Sequence, residues 1–287
     1  MSATESSKEK NKIVGGTLYL VALPIGNLAD TSERAIKTLT EVDFIAAEDT
    51  RNTAKLLMHF GIKNTLVSYH EHNKRECGER ILASLKEGSS WALVTDAGTP
   101  GISDPGEDMV GLCAENSIPV TLVPGACALI DALVLSSLSA RRFVFEGFLE
   151  GNKSAKKKTL DDMKNEMRTM IFYEAPHRIK ETLALMMDAF GNRRIALCRE
   201  LTKLNEEIKR CSLSDAIDYF ENNDPRGEYV VVVEGADKNA ESFFENMTIS
   251  EHVEHYVSLG LSKMEAIKAT AKDRNVGKSV IYKEVST

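Results

Sequence analysis

The stretch from Thr95 to Gly106, TDAGTPGISDPG, constrains the fold of this chain most strongly. The apolar run Trp91–Val94 leads into it and predicts a buried strand. Three Gly, two Pro and two Asp among the twelve residues exclude a continuing strand or helix, and a helical pattern resumes near Met109. A strand, a glycine-rich loop and a helix in this order place the loop at the carboxyl end of a sheet strand, where open α/β sheets bind ligands. An ordinary turn, the alternative, would need fewer glycines.

Short apolar runs alternate with helical patterns through the first half of the chain, which predicts βαβ units and a mostly parallel sheet. The predicted strands are residues 16–23, 43–47, 66–69, 91–94 and 119–123, and the helices are 33–40, 54–60, 75–86 and 128–138. The second half predicts strands at 142–149, 169–173, 194–198 and 227–233, and helices at 153 to about 167, 179–190 and 213–221. The last of these strands is too apolar to face water.

The 287 residues are enough for two domains and a small third. We predict a disordered tail over residues 1–12, α/β domains over 13–138 and 139–240, and a helical module of two or three short helices over 241–287.

Unusual loops follow the predicted strand ends at Leu23, Ala47, Val94 and Val123, and three similar loops in the second half follow Tyr173 and Cys198 or lie near Gly227. Because the carboxyl ends of parallel strands meet at one edge of a sheet, these loops are expected to line one cleft between the two domains. The pattern predicts a ligand site without naming the ligand.

Several classes of protein are disfavoured. No apolar run reaches the length of a membrane-spanning helix, and the amino-terminal residues lack the apolar core of a signal peptide. Five cysteines without CxxC spacing argue against a disulfide framework and a zinc site, and they fit a reducing cytoplasm. His70 and His72 lack a third ligand, so we expect no metal.

The net charge of −7 disfavours a broad nucleic-acid-binding face. A local patch is still possible, because residues 153–168 carry six basic and three acidic side chains. A solvated helix face is the alternative. We expect Lys156, Lys157 and Lys158 of this run to bind phosphate groups.

Eight motifs occur in a fixed order along the chain. They are PIGNLAD from Pro24 to Asp30, AEDTR from Ala47 to Arg51, Thr95–Gly106, VPG from Val123 to Gly125, FEGF from Phe145 to Phe148, YEAPHR from Tyr173 to Arg178, RELTK from Arg199 to Lys203, and RGEYVVVVEG from Arg226 to Gly235. Together they resemble the small-subunit ribosomal RNA cytidine 2′-O-methyltransferases of the tetrapyrrole (corrin/porphyrin) methylase superfamily. The resemblance covers about residues 13–285.

This resemblance implies an α/β fold of two domains with S-adenosylmethionine (SAM) in the cleft between them, a small carboxyl-terminal helical module, and a homodimer. It implies methyl transfer to the ribose 2′-hydroxyl of a cytidine in the decoding centre of small-subunit ribosomal RNA. With RNA as the substrate, the expected RNA contacts are Lys156, Lys157 and Lys158, with Arg178 contributing from a second loop. By analogy with the superfamily, the expected SAM contacts are Pro24, Ala97, Gly98, Thr99, Ile102, Cys127, Ala128, Tyr173, Glu174 and Leu201. Relatives often carry a hydroxyl or amide at the position of Cys127, and a thiol is a weak hydrogen-bond partner.

Asp49 and Arg51 lie at a predicted strand end facing the cleft. We expect Asp49 to accept a proton from the ribose hydroxyl or to orient it, and Arg51 to anchor a flanking phosphate. A mutual salt bridge that shapes their loop is the alternative. At the level of function, the alternatives are a methyltransferase acting on a small tetrapyrrole-like molecule and a non-catalytic ribosome-assembly factor.

Overall fold

The computed structural model describes residues 11–237, 244, 247–274 and 276–285. The chain forms two compact units, residues 1–236 and residues 237–287, and each is described by itself. The disordered tail predicted for residues 1–12 lies outside the described residues apart from Asn11 and Lys12. Within the described ranges, no helix is long and apolar enough to cross a membrane.

A five-stranded parallel sheet forms the amino-terminal half of the first unit, as the alternation of strands and helices predicted. Its strands are β1 (Leu18–Val21), β2 (Phe44–Ala47), β3 (Thr65–Ser68), β4 (Trp91–Val94) and β5 (Val120–Val123), in the spatial order β3-β2-β4-β1-β5. The helices between and after them are α1 (Glu33–Glu41), α2 (Thr50–His59), α3 (Lys74–Lys86), α4 (Glu107–Glu115) and α5 (Ala128–Leu135). Apolar side chains fill both faces of the sheet, which explains its nearly continuous apolar strands.

Side-chain caps fix where two of these helices begin. The Ser32 side chain accepts a hydrogen bond from the backbone N–H of Ala35 and starts α1 one residue later, as predicted. The Asp49 carboxylate accepts from the N–H of Arg51 at 2.8 Å and starts α2 at Thr50, four residues before the predicted start.

The second half of this unit contains a mixed five-stranded sheet. Its elements are β6 (Phe143–Phe148), α6 (Lys153–Asp162), β7 (Thr169–Glu174), α7 (Ile179–Phe190), β8 (Arg194–Arg199), β9 (Glu207–Ser212), α8 (Leu213–Asn222) and β10 (Tyr229–Val233). The spatial order is β6-β7-β10-β8-β9, and only β6 and β7 run parallel. Strand β9 was not predicted.

Strand β10 lies at the centre of this sheet, and all five of its residues are buried. Tyr229, Val231 and Val233 face the core beneath α7 and α8. Val230 and Val232 face the other way and pack with residues of α5, which belongs to the first half of the unit. The prediction that this strand is too apolar to face water is confirmed, and α5 joins the two halves through an apolar core.

The predicted boundary at residue 138 falls between α5 and β6, and the division into two α/β domains stays a prediction. The second unit begins at Asp237, four residues before the predicted helical module. Its described part contains three helices, α9 (Ile249–Ser258), α10 (Lys263–Asp273) and α11 (Lys278–Val285). Capping boxes at Thr248 and Ser262 start α9 and α10, and a small core around Val253, Ile267 and Ile281 holds the helices together.

Candidate active site

A cavity of 560 Å³ lies in the first unit, where the carboxyl ends of the parallel strands meet the second sheet. Its volume is in the range that binds a small organic ligand. The lining comes from the loops after β1, β4, β5, β7 and β8 and from the start of β10. Because β10 runs antiparallel to β7 and β8, its first residue, Tyr229, pairs with Glu174 and Arg199 at their last residues. Strand ends from both halves therefore converge on this cavity.

The loop after β4 forms the floor of the cavity and is tied to its neighbours through the backbone. Gly98 exchanges two hydrogen bonds with Leu23, of 2.8 and 3.0 Å, and the Thr99 hydroxyl donates to the carbonyl of Ala126 at 3.1 Å. Gly98 has a φ of +74°, and an added Cβ would lie 3.4 Å from a methyl group of Ile25. This loop is thus held in one shape while its backbone stays open to a ligand.

The amino terminus of α5 forms one side of the cavity. Cys127 caps the helix with an extended backbone and makes no side-chain capping bond. Gly125 lies so close to the residue that follows β1 that an added Cβ would stand 2.9 Å from the Cβ of Ala22. The opposite wall is tied to this helix, because the backbone N–H of Leu129 donates to the Tyr173 hydroxyl at 3.2 Å.

The opposite wall is built from β6, β7 and the start of α7. Tyr173 makes edge-to-face contacts with Phe145 and Phe148, with ring centroids 5.0 and 5.5 Å apart. Glu174 is buried and fully engaged: it accepts from the Ala175 N–H, from the Arg178 guanidinium at 2.9 Å and from the Thr182 hydroxyl at 2.5 Å.

Lys203 connects the loop after β8 with the loop after β1. Its side chain lies across Gly26, where an added Cβ would stand 2.3 Å from the lysine Cγ. The ammonium donates to Glu200 at 2.9 Å and to Glu228 at 2.8 Å. Three charged groups thus pair at the edge of the cavity, and the absence of a side chain at residue 26 allows the lysine to reach them.

Carboxylates gather where the loops after β2 and β4 meet. Glu48 accepts a hydrogen bond from the Asp96 N–H at 3.3 Å, and burial, followed by the nearby Asp96 charge, raises the pKa of Glu48. Asp104 lines the cavity, and burial raises the pKa of its carboxyl to about 6. The charges of Glu48 and Asp96 add to that rise, and a hydrogen bond from Thr95 opposes it.

Nine of the ten residues expected to contact SAM line this cavity. They are Ala97, Gly98, Thr99, Ile102, Cys127, Ala128, Tyr173, Glu174 and Leu201. The tenth, Pro24, is buried beside the lining residue Ile25 and does not itself line the cavity. Their role in binding SAM stays a prediction.

The residues expected to act in catalysis lie outside the cavity lining. Arg51 donates from its Nε and Nη2 to the two oxygens of Asp49, at 3.0 and 2.6 Å. This pairing lowers the pKa of Asp49 well below its usual range. The salt bridge weighed as the alternative is therefore present at the end of β2.

The four residues expected to bind RNA differ in their exposure to solvent. Lys157 and Lys158 are exposed on α6. Lys156 is instead buried, and its ammonium lies 3.7 Å from Glu181. The prediction that Lys156 belongs to an exposed RNA-binding patch is therefore wrong. Arg178 is half-buried and pairs with Glu174.

Sequence reasoning did not single out Asp104, Lys203 or His177 as site residues, although all three line the cavity. Lys203 and His177 lie within motifs that carried the family resemblance. Asp104 lies in the loop on which the sequence analysis began. Their position in these segments was the only sign in the sequence that they could belong to the site. The direction of each side chain depends on packing between the two sheets.

The model of the family of tetrapyrrole (corrin/porphyrin) methylases matches residues 17–217. The chain belongs to this family. The match includes the first sheet, strands β6 to β9 of the second sheet and the start of α8, and so it spans most of the elements that line the cavity.

Curated relatives are similar over nearly the whole chain. Proteins of Halalkalibacterium halodurans and Bacillus subtilis are 48% and 49% identical, and each alignment covers 93% of both chains. A Synechocystis protein is 44% identical over 93% of this chain and 96% of its own. All three are named ribosomal RNA small subunit methyltransferase I.

Solved structures support the fold. Uroporphyrin-III-C-methyltransferase from Thermus thermophilus matches with a TM-score of 0.53 at 19% identity, covering 76% of this chain and 94% of that one. Diphthine synthase matches with a TM-score of 0.57 at 13% identity, covering 76% and 89%. At these identities the likeness concerns the fold alone.

These comparisons confirm the predicted fold class, the predicted class of enzyme, a methyltransferase, and SAM as the methyl donor. The cavity suits such a group. Apolar side chains such as Ile25, Ile102 and Leu201 offer surface for an aromatic base, and the Gly98 loop offers backbone groups. Among the described residues, no group of three His, Cys, Asp or Glu is arranged to hold a metal ion.

Proposed function

We propose that this protein transfers a methyl group from SAM to the ribose 2′-hydroxyl of a cytidine in the decoding centre of small-subunit ribosomal RNA. The observation that carries the proposal is the cavity at the carboxyl edge of the parallel sheet, lined by nine residues at which SAM contacts were expected. The name shared by relatives at 44–49% identity supports ribosomal RNA as the substrate class.

The residues of this chain promote the reaction by positioning the reactants. SAM supplies an activated methyl group on a sulfonium, and in-line displacement by an oxygen nucleophile depends mainly on alignment. The Gly98 loop and the start of α5, held together by the Thr99 and Tyr173 hydrogen bonds, fix one reactant. Phe148 and Tyr173, whose rings are in contact, add apolar surface to the cavity lining, which disfavours water there.

Asp49 and Arg51 are proposed to hold the RNA backbone beside the cavity. The Arg51 side chain is 85% exposed while paired with Asp49, so a phosphate can approach its free face. Since the pairing makes Asp49 a weaker base than an ordinary carboxylate, the structure favours orienter over proton acceptor for this residue. Wild-type methylation rates in Asp49→Ala and Arg51→Ala proteins would contradict this role.

Lys157 and Lys158 are proposed as further phosphate contacts, because both side chains are exposed on α6. An RNA that is already folded in a ribosomal subunit needs few placed cations, which accommodates the net charge of −7. Free RNA oligomers should then be poor substrates.

A homodimer is part of the proposal. Helix α5 exposes Ile130 and Val134, the latter 71% exposed, and the edge strand β5 exposes Leu122. The amino terminus of α5 also forms one side of the cavity. Exposed apolar side chains of this kind are typical of an interface between subunits. Sedimentation equilibrium should give twice the mass of the chain, and a monomer at micromolar concentration would contradict it.

The proposed function is tested by methyl transfer from radiolabelled SAM to small ribosomal subunits isolated from cells that lack this protein. We expect the label in 2′-O-methylcytidine after nucleoside analysis. SAM binding by calorimetry without label in the RNA would favour a small-molecule methyltransferase or a non-catalytic assembly factor.

A further inference from the structure

A second recess, of 480 Å³, shares a wall with the cofactor cavity. We call it the α5 recess; its lining includes Ala126, Val134, Leu135, Leu201, Thr202 and Glu206. Leu201 lines the cavity as well, and Cys127, the neighbour of Ala126, lines the cavity alone. A group that fills the α5 recess would therefore press against residues that shape the cofactor site.

The loop after β8 forms one rim of this recess and presents Leu204 to solvent. The Leu204 side chain is 100% exposed, although its neighbours Thr202 and Glu206 both line the recess. The loop is held in one shape, because the Thr202 N–H donates to the Glu206 carboxylate at 2.7 Å and the Glu206 N–H donates to the Lys203 carbonyl at 3.1 Å. Thr202 also has a φ of +65°, which costs energy in a residue with a side chain. A fixed, strained loop that exposes a leucine completely is suited to a partner that buries it.

The charges around the recess indicate which partner fits. Asp30, Asp131 and Glu206 line it, and none of them has an ion pair in the part of the chain that the structure describes. Arg210 lies at the edge, where its guanidinium donates to the Leu135 carbonyl at 2.9 and 2.6 Å and stays exposed. Three carboxylates repel the phosphates of RNA, so the substrate is a poor occupant. A surface that brings an apolar side chain and a cation together suits the recess better.

The surface of this chain that best meets those needs is the same surface on a second copy. Leu204 and Arg210 project beside the recess, so a two-fold axis can place the projections of each copy against the recess of the other. The surface is continuous with Ile130 and Val134 of α5, which the proposed homodimer covers. We propose that Leu204 of the partner subunit fills the α5 recess and that dimerisation thereby raises the affinity of the cavity for SAM. This proposal rests on the proposed homodimer and adds its effect on cofactor binding.

The shared wall explains why the two events are coupled. The Ala126 carbonyl accepts the hydrogen bond from the Thr99 hydroxyl, which ties the start of α5 to the loop after β4. A side chain packed against Ala126 and Leu201 from the recess limits the motion of this wall, and a ligand in the cavity must order the same wall. The entropy cost of ordering is then shared between dimerisation and SAM binding. By reciprocity, SAM must also tighten the dimer.

The test compares the full-length wild-type protein with Leu204→Asp. Because the leucine is fully exposed and lines neither the cavity nor the recess, the change should leave each subunit folded, whereas a charge cannot enter the apolar contact. Sedimentation velocity should show a monomer at micromolar concentrations at which the wild-type protein is a dimer. Calorimetric affinity for SAM should fall about tenfold. Val134→Asp, on the other side of the contact, should reproduce both effects.

The wild-type protein provides a second measurement that no local effect of a mutation can imitate. Diluted below its dimer dissociation constant, it should show the same loss in equilibrium binding of labelled SAM. Saturating SAM should tighten the wild-type dimer by about 100-fold, the square of the loss per subunit, because a dimer has two cavities. Met58→Asp is the matched control: this side chain is 76% exposed on α2, away from both linings, and the variant should keep the dimer and the SAM affinity.

A Leu204→Asp protein that stays dimeric, or a monomeric one that binds SAM as tightly as the wild-type dimer, would overturn this proposal and leave the proposed methyl transfer untouched. A dimer constant that does not change with SAM would do the same. A wild-type protein that is monomeric at micromolar concentration would overturn the proposed homodimer and this proposal with it.

Discussion

Five cysteines lie in very different surroundings, and this makes them reporters of the cavity. Cys77, Cys113 and Cys198 are buried, and Cys127 and Cys211 are partly exposed. Burial raises the pKa of Cys113 to about 11 and that of Cys198 to about 12, which keeps both thiols protonated and unreactive. Cys198 lines the cavity but does not reach solvent, whereas Cys127 lines it and does.

We therefore expect iodoacetamide to alkylate Cys127 in the native protein and saturating SAM to slow that reaction at least tenfold. The physical reason is that a ligand in the cavity covers the thiol at the start of α5. Peptide mass spectrometry over time gives the rate for each cysteine. Cys211 is the internal control: it is partly exposed on β9, away from the lining, and its rate should not change with SAM. Equal rates at Cys127 with and without SAM would contradict the predicted cofactor contact.

At the scale of helices and strands, the first half was largely predictable from sequence because its strands are short apolar runs that alternate with helical patterns. Strand β4 was predicted to the residue, and α7 of the second half likewise. Strand β9, with the sequence EIKRCS, was missed because an edge strand has only one neighbour and carries polar side chains. The antiparallel course of β10 was also unpredictable, since strand direction depends on long-range pairing.

The same limit applies to the candidate site. The resemblance to the superfamily was enough to predict nine cavity-lining residues, and each of them lies at or after the end of a strand or at a helix start. The burial of Lys156 was not predictable from a run of three lysines, since the 3.6-residue helical period turns one of them towards the core. The raised pKa of Asp104 arises from burial and from the charges of Glu48 and Asp96, and the burial and the approach of Glu48 depend on the fold rather than on a local pattern.

The loop after β1 and the loop after β8 are in contact, because the Lys203 side chain lies across Gly26. Gly26→Ala places a Cβ where the lysine stem lies and also strains a φ of +153°. We expect SAM affinity to fall about tenfold and the Tm to fall by several degrees, measured by calorimetry and by thermal unfolding. Gly111→Ala is the control, because α4 leaves open space at that Cβ position and alanine favours a helix. A Gly26→Ala protein with unchanged SAM affinity would show that this contact does not shape the cavity.

Helix α6 presents Lys157 and Lys158 to solvent, and its contribution to RNA binding is measurable through salt. The double change Lys157→Ala and Lys158→Ala should weaken subunit binding and reduce the slope of log K against log salt by about 1 to 2. Filter binding over a series of salt concentrations checks this. Lys63→Ala, an exposed lysine after α2, should leave the slope unchanged. An unaltered slope in the double variant would show that α6 is not part of the RNA interface.

At the scale of the whole chain, the cofactor cavity and the helical unit are built independently. All residues that line the cavity lie between Ile25 and Val230. The described part of the second unit has its own core and its own capping boxes at Thr248 and Ser262. SAM binding and subunit recognition are therefore expected to be separable by mutation.

A chain ending at Ala236 should keep its SAM affinity within about twofold and should have a KM for small subunits raised about tenfold or more, because the helical unit is expected to help dock the enzyme. Calorimetry and initial-rate kinetics measure the two quantities on the same preparation. Full-length Ile267→Asp, which places a charge in the core of the helical unit, should reproduce the kinetic defect. Met264→Ala on the same helix is 56% exposed and should not. An unchanged KM in the truncated chain would assign subunit recognition to residues 1–236 alone.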